Sequence, residues 1–517
     1  MVIVFLGYSI AVIQRRQTVQ IDRIFIALLV FIGYMLCRDC MYKVPTIEIP
    51  LFISFFALYI LFTNIHFIWV NFNLVIIIVC LIQAIYGILQ FSDVFPTEYG
   101  KITGSYRNPA GLGITLAVSF PLIFFFLKSN KYLSVTAIII IMIAVIISGS
   151  RAGLISILTT AIIYLYANIP GKTIRKKVML SVLLIIALVV FIILFFLKQD
   201  SAIGRILIWQ VTGSVIKDNL FFGGGNYAFS THYMLAQSDY FIQNSNSRFS
   251  LLADNVPHPF NEYLFVIVKY GIVGFFILVS AIAFIFRSAK LSSPYVLCLI
   301  SLGVFSLFSY PLQYPVSWII ATYCLVQISR NNSAIFYFQP QKMFSFLMLT
   351  IGAFFLIKDL KFEYEWNRIY KISLSGEAKE MLPKYEDLYH EWNGDHFFLY
   401  NYAAELNQLE EYNKSLQVLT RCSKYYNDYD TEMMRADNYF GLGNWDLAEQ
   451  SYYLALNMCP NRFMPLFRLH KVSLAQGKYA EARGFANKIL QKEVKIPSST
   501  VSFIKQSMQK YLNKTIQ

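Results

Sequence analysis

Charge is scarce in this chain of 517 residues. Asp, Glu, Lys and Arg together make up 14% of it, where a soluble chain carries about a quarter. A wholly soluble enzyme is thereby excluded. Disorder is excluded too, because it needs low hydrophobicity and dense charge, and 56% of these residues are hydrophobic. The seven cysteines show no small disulfide scaffold. Cys37-x-x-Cys40 lies at the end of an apolar segment with no βαβ pattern, so its redox-like spacing reads as coincidence. No P-loop, no GxGxxG after a strand and no HExxH occurs.

The charge that is present is unevenly spread. Residues 1–358 hold 24 Lys and Arg against 10 Asp and Glu, and residues 359–517 hold 20 against 20. The whole excess of +14 sits in the apolar part. There it reports membrane topology and not a nucleic-acid partner.

A membrane-spanning helix needs about 20 largely apolar residues, and open β-structure cannot face lipid. Twelve candidate spans follow: about 2–13, 22–37, 47–62, 72–90, 110–127, 132–148, 151–167, 178–197, 261–286, 294–309, 315–329 and 343–358. The first has no small-x-small cleavage site after it and reads as a membrane helix, not a signal peptide. Five basic clusters fall on alternate connections: Arg15-Arg16, Lys128 to Lys131, Lys172 to Lys177, Arg287 to Lys290, and Arg330. Those connections belong on the cytoplasmic face. Residues 91–109, the long 198–260 segment and everything after 358 then face outward.

The 198–260 segment is too long for a passive connection. It reads as two or three short helices lying at the membrane surface over the bundle. Residues 359–517 repeat: Gly443-Asn-Trp445-Asp-Leu-Ala448 returns as Gly477-Lys-Tyr479-Ala-Glu-Ala482, 34 residues on. Glu411-Tyr412-Asn-Lys-Ser415 fits one step earlier with a one-residue deletion. This period resembles the tetratricopeptide repeat. Three repeats are expected, joined to the membrane by a degenerate helix pair at about 362–393. The expected fold is all-α: a polytopic membrane bundle over 1–358 and a repeat solenoid over 359–517.

Asp428-Tyr-Asp430 has the letters of a metal-binding DxD but sits between repeats, where a turn is the plainer reading. The outward face of the bundle has few acids, none spaced as a metal cluster, so a metal-free mechanism is expected. What remains outward is a set of arginines and one histidine. Arg107 lies in Gly104-Ser-Tyr-Arg107-Asn108-Pro109, where a headgroup or structural role competes with substrate contact. Arg151 lies in Ser148-Gly-Ser-Arg151-Ala-Gly153 within a nearly unbroken apolar stretch; a charge at that depth tends to mark a substrate path, and snorkelling is the alternative. Arg205 opens Arg-Ile-Leu-Ile-Trp209, where a surface charge is the alternative. His258 sits between two prolines, and a lone histidine is often structural. Together these types suit group transfer from a diphosphate: arginine forks grip phosphate oxygens, fixed cations stabilise the departing charge, and histidine takes a proton from an acceptor hydroxyl.

Residues 104–153 and 201–274 resemble the O-antigen ligase family, the Wzy-C superfamily of lipid-linked glycan transferases. The resemblance rests on Gly-Ser-Tyr-Arg107-Asn-Pro, Gly-Ser-Arg151-Ala-Gly, Arg205-x-x-x-Trp209, the Gly223–Asn226 turn, and His258-Pro-Phe-Asn261-Glu262 followed by Tyr270-Gly-Ile-Val-Gly274. It implies a bacterial inner-membrane protein with a periplasmic active site and an undecaprenyl-diphosphate-linked glycan as donor. It assigns an essential arginine and histidine to Arg205 and His258, with Arg151, and then Arg107, as further diphosphate contacts. No metal, nucleotide or other cofactor is implied. The acceptor is a lipid A core sugar, a protein hydroxyl or a growing glycan; a transporter of lipid-linked sugars is the reading from another class. The repeats are expected to recruit the acceptor or a protein partner and to carry no chemistry.

Overall fold

The computed structural model describes residues 19–42, 71–97, 100–127, 129–168, 199–330, 335–338, 342–392 and 394–514, with isolated positions between 55 and 63 and between 178 and 196. The candidate spans at 2–13, 47–62 and 178–197, and the basic clusters at 15–16 and 172–177, lie wholly or largely outside them. The chain divides into two compact units. One comprises residues 1–199 and 260–356, the other 200–259 and 357–517.

In the first unit the helices are α1 (Arg23–Met41), α2 (Phe72–Phe91), α3 (Pro109–Ser119), α4 (Lys131–Ser148) and α5 (Arg151–Asn168), then α8 (Glu262–Ser288), α9 (Pro294–Ser306) and α10 (Pro315–Ser329). Local chemistry sets their starts. The Asp22 carboxylate accepts from the Phe25 N–H at 2.9 Å, and Asn71, Asn108 and Asn261 do the same for α2, α3 and α8. Each such cap satisfies backbone donors that the first turn leaves unpaired. Proline at the first position starts α9 and α10, where its missing N–H costs nothing. One small antiparallel pairing, β1 (Val19–Ile21) with β2 (Phe336–Phe338), joins distant stretches.

Five helices are long and apolar enough to cross a membrane: α1, α2, α4, α5 and α8. Three shorter apolar helices accompany them. Of the twelve expected spans, nine fall on described residues, and five of these are clear ones. The short ones have a physical reason: α3 passes into a 3₁₀ turn at Pro121, and α9 and α10 are cut by the Pro311 turn between them. Residues 111–119 of α3 are all buried, so α3 is the centre of the bundle, packed by α2, α4, α5, α9 and α10. Outer helices show the reverse. Ile78, Val79, Ile82 and Ile85 of α2 and Ile139, Ile143 and Ile146 of α4 are exposed, as a lipid-facing surface requires.

The second unit contains α6 (Gln199–Asp218), entering from residue 200, and α7 (Ala228–Gln243). It continues from residue 357 of α11 (Lys342–Ile372), through a π-turn at Ser373–Glu377 where Gly376 is left-handed, into α12 (Ala378–Glu391). Three helix pairs follow: α13 (His396–Gln408) with α14 (Tyr412–Cys422), α15 (Tyr429–Gly441) with α16 (Trp445–Met458), and α17 (Met464–Ala475) with α18 (Tyr479–Gln491); α19 (Ser499–Lys514) closes the series. Each pair turns through one left-handed residue: Glu410, Gly443 and Gly477, with φ of 62°, 74° and 73°. The small residues Ser415, Ala448 and Ala482 are wholly buried, where a larger side chain would hold the helices apart.

The 200–259 segment is helical and packs within the second unit. Its helix α7 packs against α16, and Phe229, Tyr233 and Met234 of α7 are buried. Of the tail aromatics, Tyr425 packs edge-on to Tyr227, Tyr426 stacks on His396, and Tyr429 and Tyr452 are core residues.

Candidate functional site

Two expected site residues lie in the second unit. Arg205 is half-buried on α6, one turn before Trp209, so the two side chains share a helix face. The buried side of α6 is Leu207, Ile208, Val211, Thr212 and Val215. The Trp209 Nε1–H donates to the Pro259 carbonyl at 3.0 Å. This single bond ties the arginine helix to the residue after His258. His258 is itself half-buried, between the exposed Pro257 and the buried Pro259. The two prolines restrict the backbone around it.

Residues 251–255 lead into His258, and their polar groups are gripped by the repeat helices and by α7 of the same unit. The Asn461 amide donates to the carbonyls of Leu251 at 3.1 Å and Ala253 at 2.6 Å. Arg462 pairs with Asp254 at 2.8 Å. The Asn255 amide donates to Asp428 at 2.6 Å and Asp430 at 3.2 Å. Gln237, wholly buried, donates to the carbonyls of Asp254 at 3.1 Å and Met458 at 2.6 Å. Ser230 and Tyr425 are joined at 2.7 Å. Asp428 also caps α15 in a reciprocal box with Thr431. The DxD letters therefore belong to a helix cap and a clasp on the loop. Asp428 is buried, while Asp430 remains exposed.

The other two residues lie in the first unit. Gly149 ends α4 in the left-handed region, which favours glycine. Ser150 Oγ accepts from the Gly153 N–H at 3.3 Å, and α5 begins at Arg151, which is half-buried. A cation thus stands at the positive end of a helix, where an anion is favoured. Gly113 permits the close approach of α3: a Cβ there would lie 2.0 Å from Ser150 Oγ. Arg107 is exposed, while its neighbours are structural. Gln90 Oε1 accepts from the N–H of Thr103 and Gly104 at 3.0 and 2.8 Å. Asn108 caps α3 and bonds the Tyr310 and Tyr314 hydroxyls at 3.0 and 2.9 Å. In the His-Pro-Phe-Asn-Glu motif, Asn261 caps α8 and buried Glu262 accepts from the Leu312 N–H at 3.0 Å.

A cleft of about 560 Å³ opens between α1 and α8, lined by Arg23, Val30, Phe276 and Phe284 among others. None of the four expected residues lines it. Away from this lining, Tyr34 of α1 donates to the Tyr270 carbonyl of α8 at 2.9 Å, beside Gly271, where α8 breaks. Sequence reasoning missed Gln237, Asn255, Asn461 and Arg462. They act across about 200 residues of chain, and nothing in their local spacing announces it. Among the described residues no group of three or more His, Cys, Asp or Glu could hold a metal.

The fold defines an apolar helix bundle of membrane type joined to a helical-repeat unit. Residues 136–279 match the family model described as O-Antigen ligase, Wzy_C. The match contains Arg151, Arg205 and His258 and stops short of Arg107. It supports a function of the lipid-linked glycan ligase or polymerase type, carried out by glycosyltransferase-like enzymes. No curated protein matches the chain.

Proposed function

We propose that the protein transfers a glycan from an undecaprenyl-diphosphate donor to an acceptor hydroxyl at the periplasmic face of the bacterial inner membrane. His258 takes the proton of the acceptor hydroxyl as its oxygen attacks the anomeric carbon. The bond from that carbon to the diphosphate oxygen breaks, and the electron pair leaves with undecaprenyl diphosphate. Arg205 and Arg151 stabilise the charge that develops there, with Arg107 as a further diphosphate contact. Charge stabilisation by guanidinium and proton removal by imidazole complete the step without a metal or nucleotide.

The observation that carries the reading is the family match over the stretch bearing Arg151, Arg205 and His258, together with the Trp209–Pro259 bond that links the arginine helix to the histidine segment. Packing of residues 200–259 and 357–517 into one unit supports an arrangement in which the long loop and the tail lie on the same side of the membrane, as the basic clusters require. The 33- and 34-residue intervals between Glu410, Gly443 and Gly477 support a tetratricopeptide-like solenoid. Such a surface suits capture of the acceptor, a lipid A core sugar or a protein, or of a partner protein.

The test is transfer by purified protein in lipid nanodiscs given an undecaprenyl-diphosphate saccharide and core oligosaccharide. Wild type releases undecaprenyl diphosphate and glycosylates the acceptor; His258→Ala does so at least about 100-fold more slowly. Equal rates would remove histidine from the chemistry. Movement of intact donor across the bilayer without bond cleavage would make the protein a transporter.

A further inference from the structure

Between Leu252 and residue 261 the chain forms no helix or strand. Backbone carbonyls in such a stretch need partners from elsewhere. Those of Leu251, Ala253 and Asp254 receive them from two amide side chains, Asn461 and Gln237. Gln237 is held in turn by the Tyr233 hydroxyl, which donates to its Oε1 at 2.8 Å. The Arg462–Asp254 pair and the Asn255–Asp428 bond fix the same segment by its side chains. His258 follows Asn255 by three residues, flanked by prolines that remove torsional slack. A shift at 253–255 is therefore passed on to the imidazole.

We infer that the repeat helices are a positioning device for His258, with Asn461 and Arg462 of the repeats, and Gln237 of α7 bonded to the Met458 carbonyl, as positioning residues that set the imidazole through the 251–255 backbone. The inference rests on the reading of His258 as the base. It adds a second role to the expected recruitment of acceptor or partner by the tail. Proton transfer tolerates little displacement: about 1 Å of error costs on the order of 100-fold. Asn461 and Gln237 together donate to three carbonyls within four residues, and losing either leaves acceptors without their partner.

The test uses the full chain in nanodiscs, with two readouts. One is the rate at which diethyl pyrocarbonate modifies His258, followed by mass spectrometry. The other is release of undecaprenyl diphosphate from an undecaprenyl-diphosphate saccharide. Asn461→Ala is expected to change the His258 modification rate several-fold and to lower kcat about tenfold or more at unchanged donor KM. Arg462→Lys, which keeps the charge, stays near wild type in both. Unchanged His258 reactivity overturns the inference, and so does unchanged kcat. Should Asn461→Ala fail to fold, an exchange decides: Asp254→Arg and Arg462→Asp each lower kcat, and the two together restore it. Lack of restoration overturns the inference. Failure of the proposed function reads differently, as equal transfer by wild type and His258→Ala, while the modification rate still reports the clamp.

Discussion

Trp209 and Pro259 are fifty residues apart in sequence, and the indole N–H of one donates to the carbonyl of the other at 3.0 Å. Trp209→Phe keeps most of the ring and removes the donor. Transfer should fall about tenfold through loss of alignment, with expression and thermal midpoint little changed. Kinetics on the purified variant checks this; a wild-type kcat would detach the bond from the chemistry.

Arg205→Lys and Arg151→Lys each keep one charge and lose the planar fork. A large loss is expected at Arg205 and a smaller one at Arg151, seen mainly as weaker use of donor. Initial rates against donor concentration measure it. Wild-type behaviour of both would move diphosphate recognition toward Arg107.

Gly113→Ala would place a Cβ within 2.0 Å of Ser150 Oγ and 2.6 Å of its Cβ. Since the Ser150 Cβ is fixed by the backbone that starts α5, α3 and α5 must part. A loss of about 1–3 kcal/mol is expected, read as a lower aggregation temperature in detergent. An unchanged value would show that the bundle relaxes freely there.

Glu410 occupies the left-handed position that glycine holds in the next two turns. That conformation costs a side-chain-bearing residue about 1–2 kcal/mol. Glu410→Gly should raise stability by up to about 1 kcal/mol once the extra freedom of the unfolded chain is counted, and Gly443→Ala should lower it. Urea midpoints of the full chain decide.

Burial pushes the Lys492 ammonium down to about 8, where it donates to the Pro460 carbonyl. Between that value and the ordinary one near 10.5, the unfolded chain holds a proton that the folded chain has released. Stability contributed by this site therefore rises with pH over that window and is flat below it. The rise should be about 1–3 kcal/mol after solvent screening, and Lys492→Met should abolish it. Thermal midpoints between pH 7 and 10 test the sign.

What the sequence determined by itself is local or periodic. Low charge and long apolar runs dictate helices that face lipid, because unpaired backbone cannot stand there. Asn108, Asn261 and Ser150 start helices through atoms two or three residues away. The glycine at 443 and its copy at 477 announce a repeated turn because a left-handed residue is needed at each. Tertiary structure alone decided where the loop belongs. The contacts of Gln237 with Met458 and of Asn461 with Ala253 span more than 200 residues. They depend on which helix ends meet after packing, and no short-range pattern encodes that meeting. The same packing turned Asp428 and Asp430 from letters of a metal motif into a clasp on the loop, because the direction of a carboxylate is set by the donors that the fold brings to it.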